Sequence, residues 1–201
     1  MRLLRDLTLS HVLSRDQVIE LGYFGSVTRT NTRLRELREL GLVRTLDTPF
    51  FAQRLYAVSA TASEVVGPRI APLTATRTGS PRFLQHALSV TNTRIVLLGR
   101  GGERWLFEQQ ARTTFTFGGK DWDVRPDGIA VEKGTHLPVE VDLGHVAPAK
   151  FKEKLASYHA FVESGTSEGL VRSRDEVSAR EAAHGRMHSC GHSLVFEEQV
   201  L

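Results

Sequence analysis

Three carboxylates lie close together in the segment DWDVRPDGIAVEKGTHLPVEVDLG. Asp127 precedes a glycine in one apolar stretch, and Glu140 and Asp142 alternate with apolar residues in the next. Because successive side chains of a strand point to opposite faces, Glu140 and Asp142 should share one face. The apolar residues of the same stretch are then expected to face a core: Leu137, Val139, Val141 and Leu143.

The spacing of these acids has a chemical consequence if the segment folds as a hairpin. A turn at Lys133-Gly134 places Asp127 directly opposite Glu140, with Cβ atoms about 5 Å apart on the same face. Facing carboxylates repel each other, whereas a divalent cation between them is attracted to both. Mg²⁺ and Mn²⁺ prefer such oxygen ligands. The pattern predicts a cation site, although the solvent-facing side of an antiparallel sheet would also carry polar residues.

The first 66 residues have the pattern of short helices followed by a β-ribbon. RLLRDLTLSHVL has apolar residues at helical spacing, and Ser14 is a good N-cap for a second helix that ends at Gly22. A third helix should run from Ser26 to Gly41. LVRTL and QRLYAVS, on either side of DTPFFA, have the pattern of two strands. SATASEVVG should return as a short helix. This order predicts a winged helix-turn-helix.

The third helix of such a module enters the major groove with its N-terminal, solvent-facing residues. Its apolar side should be formed by Val27, Leu34, Leu37 and Leu40. The candidate DNA contacts are then Ser26, Thr28, Arg29, Asn31, Thr32 and Arg33. Arginine can bind guanine and asparagine adenine, while serine and threonine bind phosphate. The alternative is a module that binds protein or supports a second domain, with Arg35 and Arg38 paired to Glu36 and Glu39.

The rest of the chain divides at a segment rich in Pro, Gly, Ser and Thr. Residues 67–81 predict a linker, so we expect domains at 1–66 and 82–201. The second domain should open with the helix RFLQHALSVTNTRIVLLGR, followed by a short helix in RWLFEQQAR. PAKFKEKLASYHAFV has the pattern of a further helix.

The pattern is poorly defined after residue 163, although HSLVFEEQVL could form a final strand. A cluster of potential metal ligands lies in this tail: His184, His188, Cys190 and His192. It lacks the separated ligand pairs of a structural zinc site. We therefore do not expect Zn²⁺ to bind here.

Composition limits the class of protein. Lys and Arg number 26 against 23 Asp and Glu, and the sequence pI of about 9.3 permits a nucleic-acid partner without establishing one. Cys190 is the single cysteine, which excludes an internal disulfide. The sequence has no apolar run near the ~18 residues of a membrane span, and MRLLRDLTLSH lacks the pattern of a secretion signal. We expect a cytoplasmic protein with no membrane partner.

The order RPDG, VEVD and KLASY resembles the core of the PD-(D/E)XK nuclease superfamily. The sequence is more similar to the replication-relaxation family of bacterial and plasmid proteins, which joins a winged helix to such a core. The likeness covers most of residues 1–162 and includes RLYAVSATASEVV, FLQHALSV and RWLFEQQ. It implies an α+β protein: an N-terminal winged helix-turn-helix followed by a small α/β PD-(D/E)XK-like sheet domain.

The resemblance also implies roles for particular residues. Asp127 and Glu140 would bind Mg²⁺ or Mn²⁺, with the carbonyl of Val141 as the usual third ligand. The superfamily's lysine would stand at position 142, where this chain has Asp142. This departure puts cleavage in doubt, because that lysine stabilises charge on the reacting phosphate. The following helix or the first helix of the domain could complete the site with Lys154, Lys150, His86 or Gln85, and Glu108 is a more distant candidate.

The function implied is DNA binding during replication of plasmid, phage or other mobile DNA, with double-stranded DNA as the partner. The nuclease-like domain would then be a metal-dependent deoxyribonuclease. Two alternatives stay open: a non-catalytic transcription or replication regulator with a degenerate nuclease fold, and an adaptor that recruits protein. Winged-helix proteins often dimerise on palindromic sites, so a homodimer is a further expectation.

Overall fold

A computed structural model describes residues 2–46, 48–66, 80–144 and 146–166. These residues form helices and small antiparallel sheets, which confirms the α+β class. The chain divides into two compact units, Met1–Ile95 and Val96–Leu201. Most of the predicted linker, the histidine-rich tail segment and the predicted final strand lie outside the described residues.

The first unit begins with helices and a small sheet. The helices are α1 (Arg2–Leu9), α2 (Arg15–Glu20) and α3 (Val27–Glu39). The strands are β1 (Leu13–Ser14), β2 (Val43–Leu46) and β3 (Leu55–Val58), which pair antiparallel in the order β1-β3-β2. A 3₁₀ turn (Ala60–Ala62) and α4 (Ser63–Val66) follow. The last helix of the first unit is α5 (Pro81–Gly99), and the unit ends within it, at Ile95.

Local signals set the ends of α2 and α3, as the sequence predicts. The Ser14 hydroxyl accepts the Gln17 N–H at 3.2 Å, and the Gln17 side chain accepts the Ser14 N–H at 3.1 Å, so the two residues form a capping box. The Ser26 hydroxyl caps α3 by accepting the Arg29 N–H at 3.2 Å. Gly22 (φ 71°) and Gly41 (φ 69°) follow the helices in the left-handed conformation that glycine adopts without strain.

The buried face of α3 differs from the predicted one. Leu34 is buried, but Val27 and Leu40 are exposed, and Thr30 is fully buried in their place. The Thr30 hydroxyl donates to the Ser26 carbonyl at 2.9 Å. Because this hydrogen bond satisfies the hydroxyl, the threonine can be buried at little cost. The face of α3 that is turned to solvent shifts accordingly.

Helix α5 packs on the first unit. Leu84 and Ala87 join a buried cluster with Val12, Leu55 and Ala57. A second, polar connection lies further along the helix, where the Gln17 side-chain amide donates to the Leu88 carbonyl at 2.9 Å and to the Asn92 side chain at 2.7 Å. The sequence assigned this helix to the second domain; the division at 67–81 stays a prediction.

The second unit contains two sheets and a C-terminal helix. Its elements are β4 (Arg104–Phe107), α6 (Glu108–Ala111), β5 (Thr113–Phe117), β6 (Lys120–Val124), β7 (Gly128–Glu132), β8 (Thr135–Val139) and α7 (Pro148–Glu163). The sheets have the orders β4-β7-β8 and β5-β6, with antiparallel pairing throughout. α7 packs near β5, where the Phe115 and Phe161 rings lie 5.6 Å apart. The segment RWLFEQQAR, predicted as a helix, forms β4 and then α6.

The register of the β7–β8 hairpin is the one predicted. Lys133 (φ 49°) and Gly134 (φ 76°) form the turn, and pairing runs from Glu132–Thr135 to Gly128–Val139. The prediction that Leu137 faces a core was wrong, because β8 is an edge strand and Leu137 is 42% exposed.

In the described segments, no helix combines the length and the apolar character needed to cross a membrane.

Candidate functional site

A basic cleft of about 770 Å³ lies in the first unit. One face of α3, the start of α2 and the connection between β2 and β3 line it. Its charged residues are four arginines and one carboxylate: Arg15, Arg35, Arg38, Arg54 and Asp16. The other polar lining side chains are Thr28, Asn31, Thr32, Gln53 and Tyr56. The cleft therefore combines positive charge with hydrogen-bonding groups.

Three of the six predicted DNA contacts line this cleft, namely Thr28, Asn31 and Thr32. Arg29 and Arg33 lie on a different face of α3, because consecutive helical residues are rotated by about 100°. The Arg33 guanidinium instead donates to Glu36 at 2.7 Å. The Ser26 hydroxyl accepts the Arg29 N–H at 3.2 Å as the helix cap.

Arg35 and Arg38 line the cleft. They were not among the predicted DNA contacts, and the alternative left open from the sequence pairs them with Glu36 and Glu39. Arg35 approaches Glu39 only to 3.8 Å, and the two side chains are 66% and 68% exposed. An ion pair so exposed contributes little. Both arginines could have been identified from the sequence, because they continue the three- and four-residue helical spacing that starts at Thr28.

A second cluster lies in the second unit, where the hairpin places Asp127 and Glu140. Asp127 immediately precedes β7 and Glu140 immediately follows β8, so the pair extends the observed register. The Asp127 Oδ2 accepts the backbone N–H of Val141 at 2.7 Å. The two carboxylates that the sequence predicts to face each other are therefore held at the same end of the hairpin.

Helix α7 supplies two side chains to Glu140. The Lys154 ammonium donates to Oε2, and the Tyr158 hydroxyl donates to Oε1 at 2.5 Å. Residues four apart lie on one face of a helix, so a single face of α7 fixes both oxygens. The contribution of Lys154 was among the predicted candidates. Tyr158 was missed, although its position one turn after Lys154 is readable in KLASY.

Electrostatics at this cluster reflect partial burial and like charge. Burial raises the pKa of Glu140, hydrogen bonds from Lys154 and Tyr158 act to lower it, and the charge of Asp127 raises it further. Burial also raises the pKa of Tyr158, and the hydrogen bond to Glu140 adds to that shift. The phenol is therefore the donor in its hydrogen bond to Glu140.

The residues beside Asp127 explain why the motif reads Pro-Asp-Gly. Pro126 is fully buried, and a Cβ on Gly128 would lie 2.0 Å from Cζ2 of the Trp105 side chain. The Trp105 indole therefore packs directly against the glycine backbone. Tight packing on either side fixes the chain at the point where it presents the Asp127 carboxylate.

Asp142, which the resemblance implies to stand where the superfamily has its lysine, has a different environment. β8 ends at Val139, so the predicted alternation does not continue to Asp142. Its carboxylate accepts the Gly144 N–H at 2.8 Å and caps its own exposed turn. The structure thus gives Asp142 a local contact rather than one with Glu140, and its catalytic role stays a prediction.

The other candidate residues are distributed as follows. Lys150 lines a cleft of about 310 Å³ whose wall also includes Arg125, Lys154 and Tyr158. Glu108 lies 3.7 Å from Arg125 as an ion pair. His86 and Gln85 lie on α5 in the first unit, and a catalytic role for either stays a prediction.

The donor set at the carboxylate pair is small. Within the residues described, no three side chains of His, Cys, Asp or Glu come together to hold a metal ion. Asp127, Glu140 and the Val141 carbonyl would leave most of a coordination shell to other ligands. Mg²⁺ commonly binds proteins through one or two carboxylates and keeps several waters. This donor chemistry fits Mg²⁺ or Mn²⁺.

A family model described as Replication-relaxation matches residues 4–177. The chain belongs to the replication-relaxation family. This match confirms the resemblance and includes the basic cleft and the carboxylate pair. Membership of the replication-relaxation family suggests a role in the replication of plasmids or other mobile elements. Neither a curated protein nor a solved structure matches the chain significantly.

Proposed function

We propose that this replication-relaxation protein binds double-stranded DNA through a winged helix-turn-helix in its first unit, during the replication of plasmid, phage or other mobile DNA. The basic cleft carries the proposal. α2 and α3 form the helix-turn-helix, and the β2–β3 connection forms the wing. In such modules the second helix of the motif lies in the major groove.

The chemistry of the cleft suits a polyanion that also displays bases. Arginines that neutralise phosphates release condensed counter-ions, which makes DNA binding favourable and sensitive to salt. The Asn31 amide can bind adenine through two hydrogen bonds, and threonine hydroxyls can bind bases or phosphates. The cleft therefore offers both the non-specific and the specific part of duplex recognition.

Salt dependence of binding tests this proposal. The full-length protein is titrated into a fluorescent duplex at several salt concentrations, and the association constant is measured by anisotropy. If the four cleft arginines contact phosphate, the slope of log K against log salt should be about −3 to −4, since each contact contributes about −0.9. Absence of binding at low salt, or binding insensitive to salt, would overturn the proposal and favour the protein-recruiting adaptor.

A second candidate function is hydrolysis of DNA phosphodiesters by a PD-(D/E)XK-like site in the second unit. The observation that favours it is the Asp127–Glu140 pair with Lys154 at its edge. Asp127, Glu140 and the Val141 carbonyl would hold Mg²⁺ or Mn²⁺, which supplies polarisation of the phosphate and a more acidic bound water. Lys154 replaces the strand lysine that position 142 lacks, and its ammonium can stabilise negative charge on the phosphate.

Nicking of supercoiled plasmid in Mg²⁺ or Mn²⁺ tests the second candidate. Asp127→Asn and Glu140→Gln should each abolish cleavage, because each removes a charged ligand. Glu132→Gln is the matched control, since Glu132 lies at the opposite end of the same hairpin, and it should cleave like the parent protein. Duplex binding without cleavage would instead support the non-catalytic regulator.

A further inference from the structure

The structure assigns duplex contact to the cleft-lining face of α3 and to the β2–β3 connection, rather than to the face that carries Arg29 and Arg33. We define the cleft face as Thr28, Asn31, Thr32, Arg35 and Arg38. This inference rests on the proposed DNA binding and names the residues that perform it. It differs from the sequence prediction, which placed both Arg29 and Arg33 in the groove.

Helical geometry gives the cleft face its continuity. Its five residues recur at three- and four-residue intervals, so they form one stripe that extends about 15 Å along the helix at 1.5 Å per residue. A B-DNA major groove about 12 Å wide admits an α-helix. The start of the stripe carries an amide and hydroxyls, and its end carries two guanidinium groups. One orientation in the groove therefore presents all five side chains.

The burial of α3 fixes this orientation. Thr30 and Leu34 are buried in the first unit, and Thr30 is anchored by its hydrogen bond to the Ser26 carbonyl. A helix with its core side so defined cannot rotate to present a different stripe without exposing Leu34. The choice of face is thus a property of the fold.

The β2–β3 connection extends the positive surface beyond the helix. Gln53 and Arg54 are exposed and line the same cleft as Arg35 and Arg38. A wing beside a groove-bound helix reaches the sugar–phosphate backbone, where positively charged side chains bind. We therefore assign Arg54 to phosphate and the Asn31 end of α3 to base edges.

The second face of α3 has different electrostatics. The Arg33 guanidinium donates to Glu36 at 2.7 Å, so its charge is locally compensated. Arg35 has only the 3.8 Å approach to Glu39. A phosphate can displace so weak and exposed a pair at little cost. Arg35 is therefore a better phosphate ligand than Arg33.

Two double variants test the assignment in the full-length protein. Arg35→Ala with Arg38→Ala removes charge from the cleft face, and Arg29→Ala with Arg33→Ala removes equal charge from the other face of the same helix. All four arginines are exposed, so neither variant should unfold, which far-UV circular dichroism checks. Affinity for a fluorescent duplex is measured between low and moderate salt.

The cleft variant should lose at least about tenfold in affinity at 0.1 M salt, and its salt slope should fall by about 2, or about 1 for each phosphate contact. The Arg29–Arg33 variant should lose less than about twofold and keep its slope. Equal losses, or a larger loss for the Arg29–Arg33 variant, would overturn the assignment while leaving duplex binding intact. A parent protein that binds no duplex would overturn the proposed function as well.

Discussion

Removal of Arg94 from its buried ion pair with Asp6 should strongly destabilise the first unit, because the Asp6 charge is then left buried without its partner. Arg94 on α5 donates to the Asp6 carboxylate on α1 at 2.8 Å, and the side chains are only 6% and 12% exposed. The Tyr23 hydroxyl donates to the same Asp6 oxygen at 2.5 Å. Burial and the Asp6 charge raise the pKa of Tyr23, so this phenol remains a donor.

Arg94→Met removes the charge and keeps most of the aliphatic contact. Asp6 is then a buried carboxylate with the neutral Tyr23 hydroxyl beside it. Removal of one partner of a buried ion pair typically costs about 3–5 kcal/mol. We expect a loss of about 3 kcal/mol in the free energy of unfolding, a large share of the 5–15 kcal/mol typical of a domain.

Urea denaturation of the full-length protein, followed by far-UV circular dichroism, measures this loss. The control is the double variant with Asp6→Asn, which also removes the stranded charge. It should be more stable than Arg94→Met alone, because the buried group is then neutral. A loss below about 1 kcal/mol for Arg94→Met, or a double variant less stable than the single one, would refute the reasoning.

Three further predictions concern the second unit. Gly128→Ala should lower the free energy of unfolding by about 1–3 kcal/mol, because the new methyl group overlaps the Trp105 ring. Unchanged stability in urea would contradict this packing. Lys154→Met should tighten Mn²⁺ binding about tenfold, as measured by calorimetry, since the Lys154 ammonium then no longer competes with the cation for Glu140. Lys152→Met on the same helix should leave the Mn²⁺ affinity unchanged. Equal affinities in the parent and both variants would disprove the competition. Because the pKa of Glu140 is raised in the folded protein, the parent should lose stability as pH rises through that folded-state pKa. Glu140→Gln cannot ionise, so it should gain stability relative to the parent between pH 4 and pH 8. A difference in urea stability that does not change with pH would count against this.

The features that the sequence predicted well depend on local chemistry. Ser14 and Ser26 cap helices through atoms three residues away, and Lys133-Gly134 supplies the two positive φ angles of a tight hairpin turn. Once this turn is placed, the register that brings Asp127 opposite Glu140 follows from strand geometry alone. Each of these features needs only a short segment of chain to form.

The features that the sequence did not predict depend on distant partners. Arg94 and Asp6 are separated by 88 residues, and no local pattern identifies them as a pair. The burial of Thr30 requires an internal hydrogen bond that hydrophobic periodicity does not include. Since Thr30 helps to set the orientation of α3, the predicted buried face, which included Val27 and Leu40, was wrong, although the spacing of the cleft residues can be read in the sequence. The end of β8 at Val139, which separates Asp142 from the strand, is likewise set by pairing with β7.

Arginine footprinting of the wild-type protein tests the central claim most directly. The protein is treated with phenylglyoxal with and without a short duplex, and modification at each arginine is measured by mass spectrometry. Duplex binding in the cleft predicts protection of Arg35, Arg38 and Arg54, while the reactivity of Arg29 and Arg33 should not change. Protection of Arg29 and Arg33 with reactive cleft arginines, or no protection at saturating duplex, would contradict the account.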